Sequence, residues 1–340
     1  MIELLKQLCA LPGPSGCEDA VRAFVRKQAA PYADEIREDA IGNLMVFRRG
    51  RSTPVRPVVV CAHMDEVGVI VKQITEDGML KFGFVGGVDP RVVIGRAVRL
   101  GEVTGVIGIK AVHLTTAAER KTMPKTKELY IDIGAGSRAA AEAMVSLGAY
   151  GVFDSEVVEF GDGLIKAKAI DDRVGCAALL KLLEREPPVD TWFCFTVQEE
   201  TGLRGAASMA YALDPGFALV LEGTTAADLA EVTDGKAVCR LRSGVVLPFM
   251  DGATIYDAAL FELLRDACVR RHIPWQTKTR IAGGTDAGRI HKSRTGVRVC
   301  AAAVPVRYIH SPSSVAAAAD CEALLAAAQA FLEELGGEDA

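Results

Sequence analysis

No lysine- or arginine-rich cluster breaks this sequence: 39 basic and 44 acidic side chains are spread over 340 residues, for a formal net charge of −5. Without a basic footprint, nucleic acid and anionic lipid are not expected partners. Charges or glycines interrupt every apolar run before the roughly 18 residues that would argue for a membrane span. The N-terminus carries Glu3 among its apolar residues and shows no basic leader with a small-residue cleavage site, so a cytoplasmic protein without a membrane segment is expected. The nine cysteines form no CxxC pair and no regular framework. They read as reduced core residues, and thiolate metal sites drop out. Gly86-Gly87 and Gly134-x-Gly136 open no phosphate loop, because neither the GxxxxGK nor the strand-GxGxxG-helix context follows. Aromatic residues make up only 6%, which leaves few platforms for a sugar. Small-molecule or peptide chemistry remains.

Half of the chain is hydrophobic, and its length suits one large domain with an insertion or two domains. Amphipathic spacing at Ile2, Leu4, Leu5 and Leu8 and again at Val21, Phe24 and Val25 predicts two opening helices around a Pro-Gly-Pro-Ser-Gly turn. Strands are expected at 43–47 and 58–61, the second a continuous run typical of burial on both faces. From 69 the pattern changes to short strands (69–74, 97–100, 103–110) separated by Gly and Asp turns. Within it, 115–127 reads as a solvated basic loop, with a lid or contact role as the rarer alternative. After 160, helices (172–185, 204–212, 254–271 and one from 315) alternate with strands (192–197, 217–221, 277–281, 297–303). The expected fold is α/β: a mixed, largely parallel sheet sandwiched by helices, with an inserted β-rich domain. Residues 1–68 and 162–340 would form the catalytic domain, and 69–161 the insert.

Five segments bring charge directly off apolar strands: His63 with Asp65, Asp171-Asp172, Glu199-Glu200, Glu222, and His310. Ligands gather at the carboxyl ends of strands in open α/β sheets, so segments far apart in sequence can converge there. Alone, each pair is more often surface chemistry. Together, emerging from runs such as VVVCAHMD and FCFTVQEE, they would cost several kcal/mol or more if buried unpaired, so cations must compensate. Two histidines and three carboxylates can hold two divalent ions if one carboxylate bridges, and such donors suit Zn²⁺, Co²⁺ or Mn²⁺. The absence of thiolates argues for open coordination positions. Asp65, two residues after His63, can hold the second imidazole nitrogen. Of Glu199 and Glu200, one can ligate a metal while the other handles protons. His113, His272 and His291 lack acidic neighbours at ligand spacing, and Cys61 reads as a buried, inert thiol.

The chain resembles the M42 metallopeptidases, dinuclear aminopeptidases of the glutamyl aminopeptidase and tetrahedral (TET) type, over nearly its whole length. The matching segments are 62–68 (AHMDEVG), 130–134 (YIDIG), 169–175 (AIDDRVG), 198–202 (QEETG), 283–288 (GGTDAG) and 307–312 (RYIHSP). The resemblance implies a zinc-peptidase-like fold in which Asp171 bridges two ions. His63 and Glu222 would complete one site, Glu200 and His310 the other, with Glu199 the general base and Asp65 behind His63. It also implies a cis peptide bond at Asp171-Asp172, peptide substrates, and a homo-oligomer of up to twelve subunits. Two positions depart from the pattern. Glu222-Gly223-Thr224 stands where many members carry Asp followed by Val-Thr, and Arg289 stands where a small residue is common. Arg289 would either favour acidic N-terminal residues or face solvent or another subunit.

The same chemistry could deacylate N-acyl amino acids, and a noncatalytic metal-binding scaffold could keep the fold. The scaffold would have lost at least one site residue, and none is missing. Glycoside hydrolysis could use two carboxylates but has no need of the histidines and metals.

Overall fold

The computed structural model describes residues 1–233, 236–281 and 283–337. Three β assemblies organise the chain: an eight-stranded mixed sheet, a closed six-stranded barrel and a three-stranded sheet. The large sheet is centred on four parallel strands in the order Thr191–Thr196, Val58–His63, Phe217–Thr225 and Arg298–Val306. Leu44–Arg48 runs antiparallel beside Thr191–Thr196 and is flanked by Glu35–Glu38. Val245–Val246 and Trp275–Gln276 extend the opposite edge.

Alternation along Val58–His63 sorts the side chains into two cores. Val58, Val60 and Ala62 pack with Leu5, Leu8, Val174 and Leu324, from helices Ile2–Ala10, Ile170–Leu183 and Ala318–Leu335. Val59 and Cys61 join Met209, Ala210 and Ile290, from helices Arg204–Leu213 and Ala287–Ile290. Helices therefore cover both faces, and a strand buried on both needs the continuous apolar run seen here. Each fully buried Val or Leu contributes about 1.5–3 kcal/mol relative to exposure.

The barrel closes through Gly68–Ile74, Leu80–Val85, Leu129–Asp132, Val103–Ile109, Ala97–Leu100 and Tyr150–Phe153. Its own core contains Val69, Val71, Phe82, Val98, Ile107, Ile131 and Phe153. The stretch between Val112 and Glu128 lies on its outside as three short 3₁₀ turns, with Val112, Leu114 and Met123 exposed. No helix among the described residues is long and apolar enough to cross a membrane.

Several expected elements are corrected. Residues 277–281 alternate like a strand, but only Trp275–Gln276 pairs; Thr279 instead donates from its backbone N–H to Val238 O and from its hydroxyl to Ala237 O, tying it to a loop. The final helix starts at Ala318, because Ser314–Ala317 is drawn into the small sheet against Leu164–Ala167. Sheet pairing there overrides alanine's helix preference. The helix expected from 254 starts at Ala258, where Asp257 caps it by accepting Leu260 N at 3.0 Å. Strands Leu80–Val85, Leu129–Asp132, Tyr150–Phe153 and Leu164–Ala167 were not expected, being too short or too weakly alternating to stand out.

Gly205 shows how tightly one helix docks on the sheet. Its N–H donates to Val197 O at 2.9 Å, its carbonyl accepts Asn43 Nδ2 at 2.9 Å, and Asn43 Oδ1 accepts Val197 N at 3.1 Å. A Cβ at this position would overlap Asn43 Oδ1 and the Val197 carbonyl. Gly205→Ala is therefore expected to cost about 1–3 kcal/mol by overpacking and to lower the thermal midpoint. An unchanged midpoint in thermal unfolding would contradict this account.

Candidate metal centre

The centre forms where the parallel strands end. His63 is the last residue of its strand and pairs in register with Thr196. On the other side Val220 pairs with Cys61, and that strand runs on through Glu222, which lies inside Phe217–Thr225 and not at its end. Asp171 sits in the first turn of Ile170–Leu183, where Asp171 and Asp172 have non-helical angles and the peptide between them is cis. Asp172 then acts as the N-cap: it accepts Gly175 N at 3.0 Å and His63 N at 3.2 Å, joining helix start to strand end.

Glu199 and Glu200 would point apart on a regular strand. Gln198 takes a positive φ of 56°, and the next two N–H groups donate to Asp65, Glu199 N to Oδ1 at 3.0 Å and Glu200 N to Oδ2 at 3.1 Å. Ser15 Oγ donates to Asp65 Oδ2 at 2.6 Å. His310 arrives from the turn after Arg298–Val306, with its Nδ1 3.1 Å from Gly87 O.

These placements bring two donor groups together, His63 with Asp171 and Glu222, and Asp171 with Glu200 and His310. His63 Nε2 lies 3.4 Å from Asp171 Oδ1 and 3.7 Å from Glu222 Oε2. His310 Nε2 lies 3.4 Å from Asp171 Oδ2 and 3.3 Å from Glu200 Oε2. Asp171 is common to both groups and offers a different oxygen to each. Glu199 belongs to neither, although its Oε2 is 3.9 Å from His63 Nε2. Asp65 lies behind the imidazole, Oδ1 being 3.4 Å and its own carbonyl 3.2 Å from His63 Nδ1.

A cation fits this arrangement. A carbonyl oxygen only accepts, so Nδ1 of both histidines carries the proton and each Nε2 directs a lone pair at carboxylates. That is repulsive unless something positive stands between. Glu222 Oε1 is also buried with no hydrogen-bond partner among the described residues. Burial pushes the Glu199 and Glu222 carboxyls well above the usual range and Glu200 to about 7. Burial lowers His310, but Asp171 and Glu200 outweigh it and raise the imidazole to about 9. Burial raises Asp171, yet His310 and His63 hold it below its ordinary value. Without metal, protons must supply the compensation.

Supporting residues went unrecognised in the sequence. Glu66 accepts Lys168 Nζ at 2.7 Å and Arg173 Nη2 at 3.3 Å, all three side chains being buried. Arg173 also donates to Met64 O at 2.8 Å and Leu8 O at 2.6 Å, and Lys168 to Leu11 O at 2.8 Å, fixing the Pro-Gly-Pro turn against the loop after His63. Asp286, from the GGTDAG segment, is buried, accepts Thr196 Oγ1 at 2.5 Å and is raised by burial to about 6. Glu66, Arg173 and Asp286 fall within the segments quoted above, whereas Lys168 lies just before one of them. Arg289 is exposed on its short helix, and His113, His272 and His291 join neither donor group. Cys61 is buried and its thiol is pushed well up by burial.

Two donor groups sharing one carboxylate on a mixed α/β fold define a candidate metal centre, and comparison with known proteins gives the family. The M42 glutamyl aminopeptidase family matches residues 42–326, and the chain belongs to it. The chain is an aminopeptidase. It is 36% identical to aminopeptidase APDkam598 from Desulfurococcus kamchatkensis, with a TM-score of 0.92 over 98% of this chain and 94% of that one. A TET aminopeptidase from the marine sediment archaeon Thaumarchaeota archaeon SCGC AB-539-E09 shares 33% identity and a TM-score of 0.93, covering 99% and 98%. The TET1 peptidase of Pyrococcus horikoshii shares 30% identity and a TM-score of 0.85, covering 97% and 98%, and is described as assembling into a tetrahedron or a large octahedral shell.

The raised pKa values predict how stability depends on pH when metal is absent. Glu200 at about 7 and His310 at about 9 both bind protons more tightly in the folded state. Their stabilisation is full below the ordinary carboxyl and imidazole values and is lost as pH rises through about 7 and about 9 respectively. Chelated protein should therefore unfold at progressively lower temperature between about pH 5 and about pH 9. Added divalent ion should restore more stability at the alkaline end, because ligands must be deprotonated to bind it. A metal-free midpoint that rises over this range would contradict the assignment.

Proposed function

We propose that the chain removes N-terminal residues from peptides at a centre of two divalent ions bridged by Asp171. The observation that carries this reading is the sharing of Asp171, one oxygen toward His63 and the other toward His310. His63 and Glu222 would complete one site, Glu200 and His310 the other, and this donor set suits Zn²⁺, Co²⁺ or Mn²⁺. When bound, such ions lower the pKa of water and polarise the scissile carbonyl.

The rest of the chemistry belongs to the chain. Glu199 is the general base: it stands outside both triads with its Oε2 3.9 Å from His63 Nε2, placed to take a proton from water and pass it to the leaving amine. Asp65 fixes the His63 tautomer and holds Glu199 and Glu200 in place through their N–H groups. The surrounding carboxylates attract the free α-amine. Residues 69–161 form an inserted domain between the two parts of the catalytic domain, a reading the barrel supports. Assembly into a homo-oligomer is supported by the shells described for the Pyrococcus horikoshii relative. A cytoplasmic location is supported by nine unpaired cysteines, eight of them buried.

Elemental analysis of saturated protein should find two divalent ions per chain, and chelation should abolish hydrolysis of aminoacyl amides that Co²⁺, Zn²⁺ or Mn²⁺ restores. One ion or none would refute the bridged centre.

Glu199→Gln should keep both metals and lose about 10²–10⁴-fold in turnover, the usual worth of general acid–base catalysis. Glu200→Gln should instead weaken one metal site, since a neutral amide is a poorer donor. An active Glu199→Gln enzyme, or one that has lost a metal, would reverse the roles.

A further inference from the structure

The donor groups open in one direction onto a larger space. A narrow gap lined by Glu66, Asp171, Glu200 and Ser314 shares His310 and Ser311 with a cavity of about 690 Å³. That cavity lies between the barrel and the turn carrying His310, with Gly87, Arg91, Arg96, Lys166 and Tyr308 in its walls. It falls in the range of about 300–1,000 Å³ that holds drug-sized ligands, and far exceeds what one acidic side chain fills. The exposed ring of Tyr308 and the side chains of Val92 and Ile94 give it apolar surface.

Its charge is one-sided. Asp89 is the only acidic residue in the walls, and it is paired with Arg91 at 2.5 Å. Lys166 Nζ donates to a carbonyl, Glu156 O at 2.7 Å, and pairs with no carboxylate among the described residues. The Arg96 guanidinium has no polar partner among the described residues. Two cations from separate sheets, one just before barrel strand Ala97–Leu100 and one on Leu164–Ala167, thus face one cleft beside the reacting centre.

Resting on the aminopeptidase reading above, we propose that this cleft receives the leaving side of the peptide, with Arg96 and Lys166 binding its C-terminal carboxylate. The enzyme then favours peptides short enough for that carboxylate to reach the two cations. Guanidinium and ammonium donors form charge-assisted hydrogen bonds to a carboxylate that a C-terminal amide does not match.

The test compares Leu-Ala-Ala with its C-terminal amide on the metal-loaded enzyme. The free acid is expected to have about tenfold higher kcat/KM, mainly through KM. Arg96→Ala should bring the acid-to-amide ratio close to one, while Arg96→Lys keeps most of it; because both substrates are measured on one preparation, partial misfolding cancels. A wild-type ratio near one, or a ratio untouched by Arg96→Ala, overturns the proposal. So does a change confined to the ratio of glutamyl to leucyl p-nitroanilide cleavage, which would assign the cations to the N-terminal side chain. An enzyme that cleaves leucyl p-nitroanilide but ignores the carboxylate overturns this inference alone, whereas one that cleaves no substrate overturns the aminopeptidase reading with it.

Discussion

Asp65 is the carboxylate on which the rest of the centre depends. Fully buried, it accepts from Ser15 in the N-terminal loop, lies against the His63 imidazole, and accepts both N–H groups of the Glu199-Glu200 turn. The N-terminal loop, the end of the His63 strand and the turn after Thr191–Thr196 are thereby held to one another within hydrogen-bond reach, beyond the point where His63 and Thr196 pair. Removing a charged acceptor from such a site leaves several buried donors unsatisfied at once, each costing about 1–3 kcal/mol.

Around it the chain gathers an excess of acid where water is scarce. Asp171, Asp172 and Glu222 are buried, and Glu199 and Glu200 stand beside them. The fold tolerates Asp172 by giving it backbone donors at a helix start, and it places the Lys168 and Arg173 cations with Glu66 nearby, a cluster with one net positive charge. The remainder is left for an external cation. Register does the rest: Val220 pairs with Cys61, which sets Glu222 and His63, each two residues on, level with each other on neighbouring strands.

Much of this was legible in sequence for a physical reason. A continuous apolar run that ends on His63 or Glu199 has nowhere to put the charge except at a strand end, and the topology of parallel sheets gathers such ends. Glu222 was recognised as a site residue but placed at the wrong point of its strand, since nothing local marks where a parallel strand stops when its partner is shorter. The Glu66, Lys168 and Arg173 cluster was not legible. Each residue alone looks like ordinary surface charge, and burial becomes tolerable only through pairing between Glu66 and Lys168 across 102 positions. The strand at Ser314–Ala317 escaped for a similar reason, its alanines favouring helix until a distant edge recruits them.

The order of strands has a consequence for how the chain must be made. Leu44–Arg48 and Val58–His63 are near neighbours in sequence, yet Thr191–Thr196 lies between them in the sheet. The barrel strands, all between Gly68 and Phe153, can close while the chain is still emerging. The fully buried strand Val58–His63 must wait with unpaired edges until some 130 further residues have been synthesised, since contacts of long sequence separation form late. A ribosome stalled just after the barrel would present a folded module tethered to a sticky, half-built sheet, the kind of intermediate that chaperones hold.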